Sequence, residues 1–338
     1  MKGPIRPYDG ARLEQTWADA VAGIPPGAID PQGPVRFHID RATRLGSAGS
    51  CFAGRIAEEL TARGYAYVRT EKTHPFSARY GNIYNARHLV QLLERALGRF
   101  EPQEDPWEHH GRFVDPFRAR AIPEGFASLE ELRADRALHL EAVRRLFSSI
   151  DVFIFTLGLT EMWISTLDGA AFSLPPGYSG GTYDPHRHQF HDGTVAETVA
   201  DLERFIALSA ELNPDLRFIL SVSPVPLAMT AKPVHVLRAT TYSKAVLRVA
   251  AESLYQRYPN VEYLASYEIV MGTGNGAAYF AEDRRNVNSR AVDHVMRSFF
   301  SNFAGEGPSF SLEAPPSAIA EHDDPCDEEY LLRMLRSG

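Results

Sequence analysis

The chain is poor in cysteine. Only Cys51 and Cys326 occur among its 338 residues, far apart in sequence. A disulfide framework is therefore not expected, and a reducing, cytoplasmic setting is the natural expectation. Neither cysteine has a partner in a Cys-x-x-Cys spacing, so no structural zinc site is expected. No apolar run approaches the roughly 20 residues that a membrane span needs, and the first residues lack the basic-then-apolar pattern of a secretory leader. Positive charge is also short: the net charge is −8, and the basic residues are dispersed. That speaks against a general nucleic-acid-binding surface. There is no Gly-x-x-x-x-Gly-Lys and no Gly-x-Gly-x-x-Gly after a strand, so no nucleotide cofactor is expected. The run Gly272-Thr273-Gly274-Asn275-Gly276 has no strand–helix setting and reads as a loop.

What is present is enough apolar material for a sizeable core, with 44% hydrophobic and 11% aromatic residues. Residues 1–40 are rich in proline and glycine and read as an extended arm. Residues 41–304 form the body. Residues 305–338 read as a linker followed by a short amphipathic helix over 327–336. Within the body, patterning predicts strands near 42–48, 65–69, 151–157, 217–222 and 261–265. Helices are predicted over about 52–63, 86–99, 128–148, 195–211, 240–257 and 289–303, with an insert at 164–194. Strong apolar runs separated by long helical patterns predict a doubly wound α/β fold with a parallel sheet covered on both faces. Sites in such folds lie beyond the carboxyl ends of the strands.

The most informative segment is 45–54, Leu-Gly-Ser-Ala-Gly-Ser-Cys-Phe-Ala-Gly. A strand-like entry ends in small residues, and a helical pattern (Phe52, Ile56, Leu60) starts at once. A hydroxyl (Ser50) and a thiol (Cys51) thus sit side by side at a strand–helix turn. Free N–H groups and the helix dipole there favour an anion, which suits a nucleophile.

Gly49-Ser50-Cys51-Phe52-Ala53 spells the signature of the GSCFA family, which the chain resembles over about residues 44–303; that family looks like a divergent branch of the SGNH/GDSL hydrolases. Thr156-Leu157-Gly158, Ser221-Val222-Ser223-Pro224-Val225 and Ser243-Lys244-Ala245-Val246-Leu247 agree in order and spacing. The resemblance implies a three-layer, flavodoxin-like α/β/α architecture. It places Cys51 where the nucleophile stands and Ser50 in the preceding aspartate's place, with Ser50 as the alternative attacker. It assigns the oxyanion donors to the loop holding Gly81 and Asn82, and to Gly158 and Thr160, where Thr160 falls on an asparagine position. Glu161 falls on an aspartate position and can orient a base, bind a substrate hydroxyl or act as the base itself. An Asp-x-x-His block is implied before the last helix, and here Asp283-Arg284-Arg285-Asn286 puts Asn286 where the histidine belongs. An amide has no group that titrates near neutrality and cannot accept the nucleophile's proton.

Other bases are available in the sequence. His235, beyond the strand at 217–222, and His188, in the insert, are the leading candidates, and His74 is a third. His186, His188 and His191 lie within six residues but have no second cluster, so a metal site is not expected. Lys244, Arg284 and Arg285 can each meet an anionic substrate group or simply face water. The reading is an acyl-handling enzyme without a cofactor: an ester or thioester hydrolase, or an acyltransferase. Its partners would be a small-molecule acyl donor and a hydroxyl- or amine-bearing, sugar-like acceptor. The rival is a binding protein on the same fold, disabled by Asn286.

Overall fold

A computed structural model describes residues 10–72, 75–306 and 327–337. His74 and Cys326, and most of the expected linker, lie outside the described residues. In chain order the elements are β1 (Leu45–Gly49), α1 (Cys51–Ala62), α2 (Ala86–Ala96), β2 (Trp107–His109), β3 (Arg112–Val114), α3 (Leu129–Ser149) and β4 (Val152–Leu157). There follow β5 (Glu161–Ser165), β6 (His188–Asp192), α4 (Val195–Leu212), β7 (Arg217–Val222), α5 (Val236–Arg257), β8 (Val261–Leu264), α6 (Ser266–Met271), α7 (Ser289–Phe303) and α8 (Asp327–Ser337).

Four strands pair in parallel in the order β1-β4-β7-β8. Side chains alternate along each strand, so β4 sends Phe153, Phe155 and Leu157 into one core and Val152 and Ile154 into the other. The first core packs α2, α3, α4 and α5 on one face of the sheet, and the second packs α1, α6 and α7 on the opposite face. The expected α/β/α layering is therefore present, with both faces covered.

A segment docks against each sheet edge, which shields part of the N–H and C=O rows that invite aggregation. Along β8 the cover is the segment before β1. Gln32 Nε2 donates to the Tyr263 carbonyl at 2.6 Å, its Oε1 accepts from Ala265 N, and Arg36 N donates to Glu262 Oε2 at 2.7 Å. Beside β1, the strand expected at 65–69 forms only a bridge, Leu45 with Tyr67, because one residue pair is all that docks there.

Three features differ from the sequence pattern. The insert is not a plain loop: β5 and β6 form an antiparallel hairpin that begins at Glu161. A second hairpin, β2 with β3, packs Trp107, Val114 and Phe117 against Ala170 and Phe172 in a third small core. Strands of three to five residues are too short to show a clear period. The helix expected from 240 starts four residues earlier, at Val236, because the His235 side chain caps it.

Candidate active site

Three strand ends meet beside α1. Beyond β1 stand Ser50 and Cys51, beyond β4 stand Gly158 and Leu159, and beyond β7 runs the segment from Ser223 to Leu227. Together with Tyr84 and Arg285 they line a small cleft that opens to solvent. Cys51 is the first residue of α1 and is half-buried in this cleft.

The turn is built by Gly49. Its φ is +147°, and a Cβ there would lie 2.7 Å from the Thr156 carbonyl oxygen and 2.9 Å from Ala53 Cβ. Only glycine fits so close to β4 with that backbone. The Gly49 carbonyl accepts from Ile83 N at 2.9 Å, which pins the following Tyr84 at the cleft wall. Tyr84 in turn accepts Gly158 N at 2.8 Å and Leu159 N at 3.1 Å on its carbonyl.

Ser50 occupies the N-cap position of α1, yet its side chain does not cap the helix. It donates instead to Ser223 Oγ at 3.2 Å and is 3% exposed. By contrast Asn85, Ser128, Thr194 and Asn288 each cap their own helices by accepting a backbone N–H. A good capping residue turned away from its helix leaves the first amides of α1 to other partners. Those amides and the aligned dipole favour negative charge at the Cys51 position.

A buried cation bonds to the strand end at Gly158. Lys244, on α5, is 2% exposed and donates to the Gly158 carbonyl. It is thus neither a solvent-facing lysine nor a free anion receptor, because helix α5 packs it under the β4 end. The wall carries a second cation, Arg285, whose Nε donates to the Pro226 carbonyl at 3.1 Å. Arg285 is presented by a tight turn. Asp283 Oδ1 accepts from Arg285 N at 2.9 Å and from Asn286 N at 3.0 Å, and Arg284 sits at φ +56°. Burial pushes the Asp283 carboxyl up, but these amides, the Asn286 side chain and the charge of the Arg285 guanidinium outweigh it and hold it below its ordinary value. Asp283 is therefore a turn-forming carboxylate, and Asn286 closes the turn by donating Nδ2 to Asp283 Oδ2 at 2.8 Å.

Several expected site residues are committed elsewhere. Gly158 N is spent on Tyr84, and Thr160 is buried, its N donating to Ser243 Oγ at 2.9 Å and its Oγ1 to Asp192 Oδ1 at 2.5 Å. Neither offers those donors to an oxyanion. Gly81 and Asn82 do not line the cleft, and Asn82 Nδ2 donates to Asp327 Oδ2 at 3.2 Å, where α8 docks.

The bases fare likewise. His188 is 3% exposed and fixed by both Glu104 oxygens, at 2.8 and 2.9 Å, with Asp184 N donating to its Nδ1. It holds the hairpin module together. His235 is exposed and accepts Leu237 N on its Nδ1 as the α5 cap. Glu161 opens β5. It accepts Thr230 Oγ1 at 2.6 Å, and burial raises its carboxyl above the ordinary value. With Lys232 bridging to Asp192, Glu161 ties the loop after β7 to the β5–β6 hairpin. His191 pairs with Glu197 at 2.9 Å and His186 is exposed, so the three insert histidines diverge. Sequence reasoning weighed Arg285 lightly, named Ser223 only inside a family block, and did not single out Tyr84. For Ser223 the usable signal was its place just past a strand end.

The ordered blocks and the strand–helix turn with its Gly-Ser-Cys core are the features by which this chain can be classified. The GSCFA family model matches residues 44–299. The chain belongs to the GSCFA family. Among curated proteins none matches this GSCFA chain. Among solved structures it is similar to a carbohydrate esterase family 3 protein from Talaromyces cellulolyticus, at 11% identity and TM-score 0.37, covering 78% of this chain and 97% of that one. It is also similar to an acetyl esterase mutant with acetate ion (10%, TM-score 0.37, 78% and 97%). A third is a putative GDSL-like lipase from Parabacteroides merdae (10%, TM-score 0.32, 80% and 99%). At these scores the likenesses do not bear on the chemistry of the GSCFA site. Among the described residues, no helix is long and apolar enough to cross a membrane.

Proposed function

We propose that this GSCFA protein is an SGNH-like acyl-handling enzyme in which Cys51 is the nucleophile. The supporting observation is the half-buried Cys51 at the start of α1, opening into a cleft at the carboxyl ends of three parallel strands. The Cys51 sulfur attacks the carbonyl carbon of an acyl donor, a C–S bond forms, and the bond to the leaving group breaks. Water, a hydroxyl or an amine then takes the acyl group. The start of α1 favours the negative charge that develops during attack. Ser50, turned towards Ser223, fits a supporting role better than that of attacker. The acceptor is a small, hydroxyl- or amine-bearing, sugar-like molecule.

The test is intact mass after incubation with acyl donors. An acyl adduct should form on the native protein and disappear in Cys51→Ala. An adduct that persists in both Cys51→Ala and Ser50→Ala proteins refutes the reading.

One observation favours a second reading, a binding protein without turnover. Asn286 is held by Asp283 in the place the resemblance assigns to the catalytic histidine. The two readings part on whether any covalent adduct forms at Cys51.

A further inference from the structure

We infer that Tyr84 limits the size of the acyl group the Cys51 cleft accepts, and that Asp327, the first residue of α8, is the positioning residue that fixes Tyr84; the inference rests on the acyl-handling reading above.

Three observations carry it. First, Tyr84 lines the same small cleft as Cys51. Among the described residues that line this cleft, it carries the only aromatic ring. A Cβ on Gly158 would fall 3.0 Å from Tyr84 Cδ1 and 3.2 Å from the Tyr84 carbonyl oxygen. The ring therefore packs where a side chain at the β4 end would otherwise stand.

Second, Tyr84 is held at both ends. Its carbonyl accepts from Gly158 N at 2.8 Å and from Leu159 N at 3.1 Å. Its hydroxyl accepts from Asp327 N at 3.3 Å. The first pair fixes the backbone from which the side chain departs, and the last fixes its tip, which selects one rotamer. A ring held in one rotamer sets the width of the cleft, whereas a ring free to swing does not.

Third, Asp327 is built into the body. It is 4% exposed, and its carboxylate accepts Asn82 Nδ2 at 3.2 Å and stands 3.5 Å from Arg120 Nε. Arg120 also lies over the Tyr330 ring at 4.6 Å, and Leu331 is buried. Charge, a cation–π contact and apolar burial thus anchor the start of α8 together. These contacts put the backbone N–H of residue 327 where the Tyr84 hydroxyl ends. A segment distant in sequence from the thiol therefore controls a wall of its cleft.

The experiment reads Cys51 modification by intact mass with reagents of two sizes, in native, Tyr84→Ala, Tyr84→Phe, Asp327→Ala and Tyr84→Ala/Asp327→Ala proteins. One pair is S-ethyl thioacetate and S-ethyl thiohexanoate. The other is iodoacetamide and N-phenyliodoacetamide, which tests the wall without acyl chemistry. The small-over-large rate ratio is the readout, because general loosening moves both rates of a pair alike. Tyr84→Ala should lower the ratio about tenfold in both pairs. Tyr84→Phe and Asp327→Ala should each lower it several-fold, and the double variant should match Tyr84→Ala, since Asp327 acts through Tyr84. Tyr84→Leu replaces Tyr84→Ala if the smaller side chain does not support folding. A native ratio in Tyr84→Ala overturns the size limit. A native ratio in Asp327→Ala, or a double variant with a ratio well below that of Tyr84→Ala, overturns the role of Asp327. If neither thioester modifies a Cys51 that iodoacetamide still alkylates, the acyl-handling reading itself falls, and the alkylation ratio still decides the wall.

Discussion

Asn286 donates its side-chain amide to Asp283 at 2.8 Å, reproducing the hydrogen bond that an imidazole in that place would make to the same carboxylate. The turn is kept, and the titratable group is absent. Asp283 also takes two backbone amides, so this carboxylate organises the loop whatever residue follows it.

Restoring the imidazole is the first prediction. In Asn286→His, one ring nitrogen can keep the bond to Asp283 while the other is free to accept a proton. Hydrolysis of simple oxygen esters should appear or rise at least tenfold, with a pH profile that bends near the histidine range. Steady-state assays with a chromogenic acetate ester measure it. Unchanged turnover would show that this position does not reach the nucleophile.

Removing the turn-former is the second. Asp283→Ala loses three hydrogen bonds at an exposed loop, so the stability change should stay within about 1–2 kcal/mol. Arg285 then loses its fixed presentation, and acylation or alkylation of Cys51 should slow several-fold while the melting temperature moves little. A native rate in Asp283→Ala separates the loop from the sulfur.

Gly49→Ala is the third. The added Cβ meets the Thr156 carbonyl at 2.7 Å in a backbone region that side chains disfavour. The expected cost is about 2 kcal/mol or more, read from urea unfolding. Displacement of α1 should also lower Cys51 reactivity in the protein that remains folded.

Glu161→Gln is the fourth. Glu161 accepts from Thr230 and holds the loop after β7, and glutamine retains an acceptor. Cys51 modification should stay within about twofold of native, because glutamine keeps an acceptor for Thr230 and Glu161 does not line the cleft. A hundredfold loss of rate together with loss of its pH dependence would instead return Glu161 to the role of base.

Acid sensitivity is the fifth. Burial lowers His88 and His294 to about 4 from an ordinary value of 6.5; nearby Arg297 adds to the effect at His294. Both are therefore neutral in the folded protein, while the unfolded chain takes up protons first as pH falls. Stability should be full above about 6.5 and decline steadily as pH drops towards about 4. The urea midpoint across pH measures this slope, and His294→Gln should make it shallower. A midpoint that is flat over that window in the native protein contradicts the assignment.

The strands at 151–157 and 217–222 and the long helices were legible because each run is either continuously apolar or strongly periodic, and burial on both sheet faces demands that pattern. The Cys51 turn was legible for a similar reason: only glycine tolerates the approach of β1 to β4 at Gly49, and that leaves a mark in the sequence. The hairpins β2–β3 and β5–β6 were not legible, since three to five residues carry too little period.

The partners of the polar site residues were beyond the sequence altogether. Thr160 bonds to Asp192, His188 to Glu104, and Lys244 to the Gly158 carbonyl, each across a long stretch of chain. Sequence alone determined the layered sheet, the place of the thiol at a helix start and the lack of an imidazole at position 286. Tertiary structure decided which donors were already spent and that Arg285 lines the same cleft as the thiol. Local pattern follows from burial and backbone sterics, whereas a hydrogen bond's partner depends on which distant segments the fold brings within about 3 Å.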